Sequence, residues 1–216
     1  IVGNDFDESL RKYRNEPGLH YFAESPGGDL TLTRLDRPVP WYRDLLGSSS
    51  LGMYLYVNLE IREVWKSFAY RPGQSAMSRP RFVGNTAAEA TPERVRDSDR
   101  VIEAFLRQLP EMAGLPASRI ALVVDGVRPE LYDEHSLRAV VDDYFPIMRA
   151  HLMDRARLGG FEVLDMQPAL IADYGRRRLK FEFSDDNHWN GTGHEVFAEV
   201  VQRSRVYRHT FGPVHP

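Results

Sequence analysis

Between Arg119 and Gly126 the chain reads RIALVVDG, an uninterrupted apolar run that stops at an acid and a glycine. A strand with one solvated face alternates apolar and polar residues, whereas a continuous run reads as a strand covered on both faces, the habit of parallel sheets. A second strand is expected at Phe161–Asp165, FEVLD, and helical spacing fills the interval. Leu137, Val140, Val141, Tyr144, Met148 and Leu152 recur on one stripe between Ser136 and Leu158. Pro146 either kinks that stretch or opens a second helix, and Gly159-Gly160 ends it. Parallel strands need a crossover, so the succession strand, helix, strand predicts an α/β chain with a parallel sheet and helices on both of its faces.

Upstream of this unit the signals are more varied. Ile1-Val2 reads as the end of a buried strand, and Gly3-Asn4-Asp5 as the turn at its carboxyl end, where open α/β sheets place ligands. HYFAES and LTLTRL flank a Pro-Gly-Gly-Asp turn and predict a hairpin over His20–Leu35, within an inserted region at about 15–45. Trp41–Phe68 has mostly helical intervals, preceded by Gly47-Ser48-Ser49-Ser50, which suits a helix start better than a nucleophile. Residues 69–90 are rich in Pro, Gly, Ser, Ala and Arg and read as an exposed loop. Thr91-Pro92-Glu93 then opens a helix with a cap residue, a first-turn proline and an acid, and Val95, Ile102, Phe105, Leu106 and Leu109 form its buried stripe.

With 216 residues and 42% hydrophobic content, the chain is long enough for one sizeable core and is expected to form a single domain. A net charge of −3 gives no electrostatic case for nucleic acid. The absence of cysteine excludes disulfides, a thiol nucleophile and thiolate metal sites, and leaves the compartment open. The sequence opens on IVGNDFDES, already at a strand end, and only three strands are visible against the roughly five to six of a mean sheet. Further strands are therefore expected upstream of Ile1.

The chemistry is concentrated in FEFSDDNHWNGTGHEVFAEV, Phe181–Val200. A short strand end at Phe181 and Phe183 leads into Asp185, Asp186, Asn187, His188 and Trp189, and then into a helix with Val196, Phe197, Val200 and Val201 on its apolar side. An acid two or three residues before a histidine can fix its tautomer and stabilise the imidazolium, leaving the other ring nitrogen to take a proton from a nucleophile. A solvated loop with Asn190 or Thr192 as helix cap accounts for the same letters. Asn4, a neutral amide at a strand end, has the chemistry of an oxyanion donor, although Gly3, Asn4 and Asp5 also suit an Asx turn.

Taken with their order, Gly3-Asn4-Asp5, LVVDGVRPELY, VLDMQPAL and DNHWNGTGHEVFAE resemble the SGNH (GDSL-type) hydrolase superfamily, specifically bacterial members with a closing Asp-x-His-Trp-Asn motif. The resemblance extends from Ile1 to about Val201. It implies a flavodoxin-like three-layer α/β/α fold, incomplete here because the first strands precede residue 1. It also implies a serine esterase acting on carbohydrate or lipid-like esters without a cofactor. Carried over by position, His188 is the general base, Asp185 or Asp186 the orienting acid, and Asn4 an oxyanion donor, with Gly3, Asp5 and Trp189 in support. The usual Gly-x-Asn-Asp block has Val2 in its first position here. No Gly-Asp-Ser block occurs, so the nucleophile is expected upstream of Ile1, and the 216 residues alone are expected to be inactive unless complemented by that segment.

Other readings use the same residues. An O-acyltransferase differs from a hydrolase only in the final acceptor. A metal-dependent hydrolase would draw on Asp185, Asp186, His188 and His194, since carboxylate and imidazole suit zinc or manganese. An inert binding module on a hydrolase fold needs none of them. Tyr54, Trp65, Tyr144 and Phe145 read as core, Trp189 equally as a wall of the site or as packing, and Arg176-Arg177-Arg178 as a solvated face. His20, His135, His151, His209 and His215 have no acid at suggestive spacing. Ser204 follows His188 in a basic stretch without a preceding strand.

Overall fold

The computed structural model describes residues 6–38, 49, 50, 54, 89–128, 130–183 and 188–212. Strands Ala121–Val124 (β3) and Glu162–Asp165 (β4) form a parallel pair in the register Ala121↔Glu162 to Val124↔Asp165. Upstream, His20–Glu24 (β1) and Leu30–Arg34 (β2) form the hairpin, with Gly28 at φ 87° in its turn, a conformation that L side chains rarely adopt. The helices are Pro92–Ala113 (α1), Glu134–Ala139 (α2), Tyr144–Leu158 (α3), Met166–Arg177 (α4), Gly191–Arg203 (α5) and Arg205–Phe211 (α6). Among the described residues the protein is therefore mixed α/β, with small sheets, one of them parallel.

Helix α1 starts as its sequence dictates. The Thr91 hydroxyl accepts from the Arg94 amide, Pro92 occupies the first turn, and Gly114 closes the helix in the left-handed region at φ 63°. Pro146 opens a second helix rather than kinking a single one. The chain leaves helical geometry at Val140, Asp143 becomes the N-cap of α3, and Pro146 falls in the first turn, where a missing N–H removes no helical hydrogen bond. The hairpin packs on α1 through Leu10, Phe22, Leu30, Val101 and Ala104. Tyr144 and Phe145 are core residues as expected. Tyr54 is not: it is 61% exposed, and Trp65 lies outside the described residues.

Strand β3 lies between two apolar clusters. Leu122 and Val124 enter a cluster built from α1 and α3, with Ile102, Leu106, Met148 and Leu152. Val123 packs against another, formed by Met166 and Leu170 of α4, Phe181, and Val196 of α5. An uninterrupted apolar run is what such a position requires, because both faces of the strand are packed against apolar side chains. Helix α4 was not expected from the sequence: Pro168 near its start and Gly175 near its end interrupt the helical pattern of MQPALIADYGRR. Asp165 caps it by accepting from the Gln167 amide at 2.9 Å.

Contacts divide the chain into two units, one of Ile1–Asn15, His20–Thr33 and Arg81–Pro216, the other of Glu16–Leu19 and Arg34–Pro80. In the second, Gly18 donates to Leu35 O at 2.6 Å and Leu35 N to Leu19 O at 3.0 Å, and Ser50 and Tyr54 are helical. The rest of the helix expected at Trp41–Phe68, and the loop expected at 69–90 except Glu89 and Ala90, lie outside the described residues. No helix among the described residues is long and apolar enough to cross a membrane.

Candidate functional site

Residues 181–183 and 188–190 lie side by side. Glu182 and Trp189 form an isolated antiparallel bridge, Phe183 N donates to His188 O at 3.4 Å, and Asn190 N donates to Phe181 O at 2.7 Å. The expected strand end at Phe181 and Phe183 is thus a single bridge, with Phe181 fully buried and Phe183 exposed. Asn190 closes the loop. Its side-chain amide donates to Lys180 O and Glu182 O, and its Oδ1 accepts from Gly193 N at 3.1 Å, which makes it the N-cap of α5.

Gly193 is required by close packing. A Cβ there would lie 2.8 Å from Phe181 O and 2.9 Å from Trp189 Cβ. The helix start therefore presses directly on the loop that carries His188.

His188 itself is exposed, and its neighbour Trp189 points inward. The Trp189 indole packs on Phe197 at 5.3 Å between ring centroids, and His194 meets it edge-on at 5.9 Å. Its Nε1–H donates to Asp125 Oδ1 at 3.2 Å. Asp125 is 4% exposed and follows the last residue of β3, at the carboxyl edge of the parallel pair. Its Oδ1 also accepts from Gly126 N at 2.8 Å, while Oδ2 accepts from the Arg128 guanidinium at 2.6 Å. That guanidinium lies over the Trp189 ring, 5.9 Å from its centroid.

The same edge is cross-braced by α3. Arg149 Nε donates to Asp125 O at 2.8 Å, and its guanidinium pairs with Asp165 at the end of β4. Burial lowers the pKa of Arg149, and Asp165 works against that shift. Tyr132 donates its hydroxyl to Glu182 and accepts from Phe181 N at 3.1 Å; burial first, then Glu182, raises its pKa, so it stays a neutral donor. Buried polar atoms are thus paired across β3, α3, β4 and the loop, although Arg128 Nε and Nη1 have no hydrogen-bond partner among the described residues.

Of the residues expected to carry chemistry, the structure describes His188 and Trp189. Gly3, Asn4, Asp5, Asp185 and Asp186 lie outside the described residues. His194 is explained by its contact with Trp189, and the described residues contain no group of three or more potential metal ligands. Ser204 has a structural role: it is buried, caps α6 by accepting from Tyr207 N at 3.1 Å, and lies beside Glu162 at the opposite, amino end of β4. The arginine run is a solvated face as expected: Arg176, Arg177 and Arg178 are all exposed, and the first two pair with buried Asp173.

One acid–histidine pair was missed: His151 Nδ1 lies 2.9 Å from Asp99 Oδ1. Glu103 and Arg155 pair one turn further along the same two helices, so this is a polar ladder between α1 and α3. Sequence spacing could not show it, since its members are far apart in the chain. The signal that could have revealed Asp125 was its place directly after the apolar run of β3.

Comparison with known proteins adds no name to this geometry. No family model, curated protein or solved structure matches the chain significantly.

Proposed function

We propose that this protein is a serine ester hydrolase of the SGNH type, on a flavodoxin-like three-layer α/β/α fold, with His188 as its general base. One observation carries the reading. The residue next to His188 is bonded to Asp125, directly after β3, which puts the histidine loop at the carboxyl edge of a parallel strand pair, where open α/β sheets bind ligands. The apolar clusters on the two faces of β3 support the three-layer arrangement.

In the proposed reaction a serine Oγ attacks the ester carbonyl while His188 takes its proton. The C–O bond to the alcohol then breaks, and His188 returns the proton to the departing oxygen. Water, activated by the same imidazole, releases the acid and restores the serine. Asp185 or Asp186 orients His188, and Asn4 donates to the oxyanion, a contact whose loss typically raises a barrier by about 3 to 4 kcal/mol. The serine is assigned to a Gly-Asp-Ser block upstream of Ile1, and the substrates to small O-acyl esters of carbohydrate or lipid-like alcohols. No cofactor enters the scheme.

The test is p-nitrophenyl acetate turnover by the full-length protein, with serine-directed fluorophosphonate labelling. His188→Ala is expected to lower kcat by about a thousandfold or more. Undiminished turnover in that variant, or no labelling of an active full-length protein, overturns the reading.

A further inference from the structure

We propose that Asp125 and Arg128 are positioning residues that set the His188 loop through the indole of Trp189, an inference that rests on the hydrolase reading. Asp125 is fixed before it meets the loop. Its backbone carbonyl is held by Arg149, its Oδ1 by the Gly126 amide and its Oδ2 by Arg128, and it is buried. A carboxylate held at both oxygens, on a backbone held at its carbonyl, is a rigid acceptor for one more donor, and the Trp189 Nε1–H supplies it.

Arg128 covers the indole from above while bonded to Asp125, so the ring is held in its plane by one contact and across its face by the other. Glu182, the bridge partner of Trp189, lies 4.0 Å from Arg128 Nη1 and accepts from Tyr132, which ties the other arm of the loop to the same group. The backbone of His188 is one peptide from this anchor and is bonded to Phe183. Its reach toward a substrate is therefore set by residues that lie far from it in the chain, Asp125 and Arg128.

Such a device acts on the reaction rate rather than on binding, because misplacement of a base by a fraction of its hydrogen-bond length weakens only the proton-transfer step. In the full-length protein Trp189→Phe keeps an aromatic ring and removes the donor. It is expected to lower kcat for p-nitrophenyl acetate about ten- to a hundredfold. KM should stay within about twofold of wild type. Arg128→Lys keeps a charge beside Asp125 but loses the planar group over the indole, and is expected to lower kcat in the same direction by a smaller factor.

Wild-type kcat in folded Trp189→Phe overturns the proposal, and so does a raised KM at unchanged kcat, which would make Trp189 a wall of the substrate site. Should Trp189→Phe fail to fold, Arg128→Lys decides by the same criteria. If His188→Ala retains full turnover, the hydrolase reading falls instead. The anchor is then judged by exchange of the Trp189 indole proton, followed by NMR: slow in wild type and faster in Arg128→Lys sustains it, and equal rates overturn it.

Discussion

Gly193 shows how much of the loop's geometry depends on the absence of one methyl group. The helix start sits so close to Phe181 O and Trp189 Cβ that a Cβ cannot enter without moving backbone. Gly193→Ala gains in helix propensity, but the clash outweighs it. The variant is expected to be less stable by about 1 to 3 kcal/mol, measured by urea unfolding. Asp97 is a second residue whose role is fixed by its neighbours. Burial raises its pKa, yet hydrogen bonds from Lys12 and the Tyr13 hydroxyl win and hold it below the ordinary value of 3.8. A carboxylate depressed in the folded state contributes stability that is present above its unfolded pKa and lost as pH falls through the folded one. Lys12, raised above 10.5 by the hydrogen bond to Asp97, contributes stability present below 10.5 and lost as pH climbs through its folded value. Asp97→Asn is expected to be less stable at pH 7 and to show a flatter fall in melting temperature below pH 4 than wild type, followed by circular dichroism across the acid range.

At the scale of elements, α6 has only seven residues and is marginal on its own, so its docking has to be explained by what meets its first turn. Glu162, buried at the start of β4, accepts from the amides of Arg205 and Val206, both at 2.7 Å, and Ser204 caps the same end. A carboxylate from a strand thus satisfies donors that the helix cannot satisfy itself. Glu162→Ala leaves those donors unpaired and is expected to cost about 1 to 3 kcal/mol. Ser204→Ala is expected to cost about 1 kcal/mol. Amide exchange at Arg205 and Val206 should accelerate in Glu162→Ala, and unchanged exchange there would refute this account of the docking.

Across the whole molecule, what could be read from the sequence was whatever the chain writes locally. The hairpin follows from its turn, α1 from Thr91 and Pro92, and β3 from its apolar run. Helix α4 was hidden because Pro168 and Gly175 disturb a pattern that tertiary packing of Met166 and Leu170 sustains. The buried acids were hidden for another reason. Asp7 pairs with Arg94, Asp97 with Lys12, Asp173 with Arg177, and Glu162 with backbone amides of α6. Most of these partners are distant in sequence, and an acid is buried only where the fold supplies its partner. The motif around His188 stands out in the sequence, while the bond from Trp189 to Asp125 does not, because 64 positions separate the two residues.

That separation has a consequence for the order in which the molecule can be completed. During synthesis Asp125, Arg128, Arg149 and Asp165 all emerge before Trp189, so the carboxyl edge of the strand pair can be braced while the indole donor is still missing. A nascent chain halted ahead of Trp189 thus keeps its charged scaffold but has nothing to hold at its centre. Trp189 thus reaches an edge whose four charged residues all precede it in the chain.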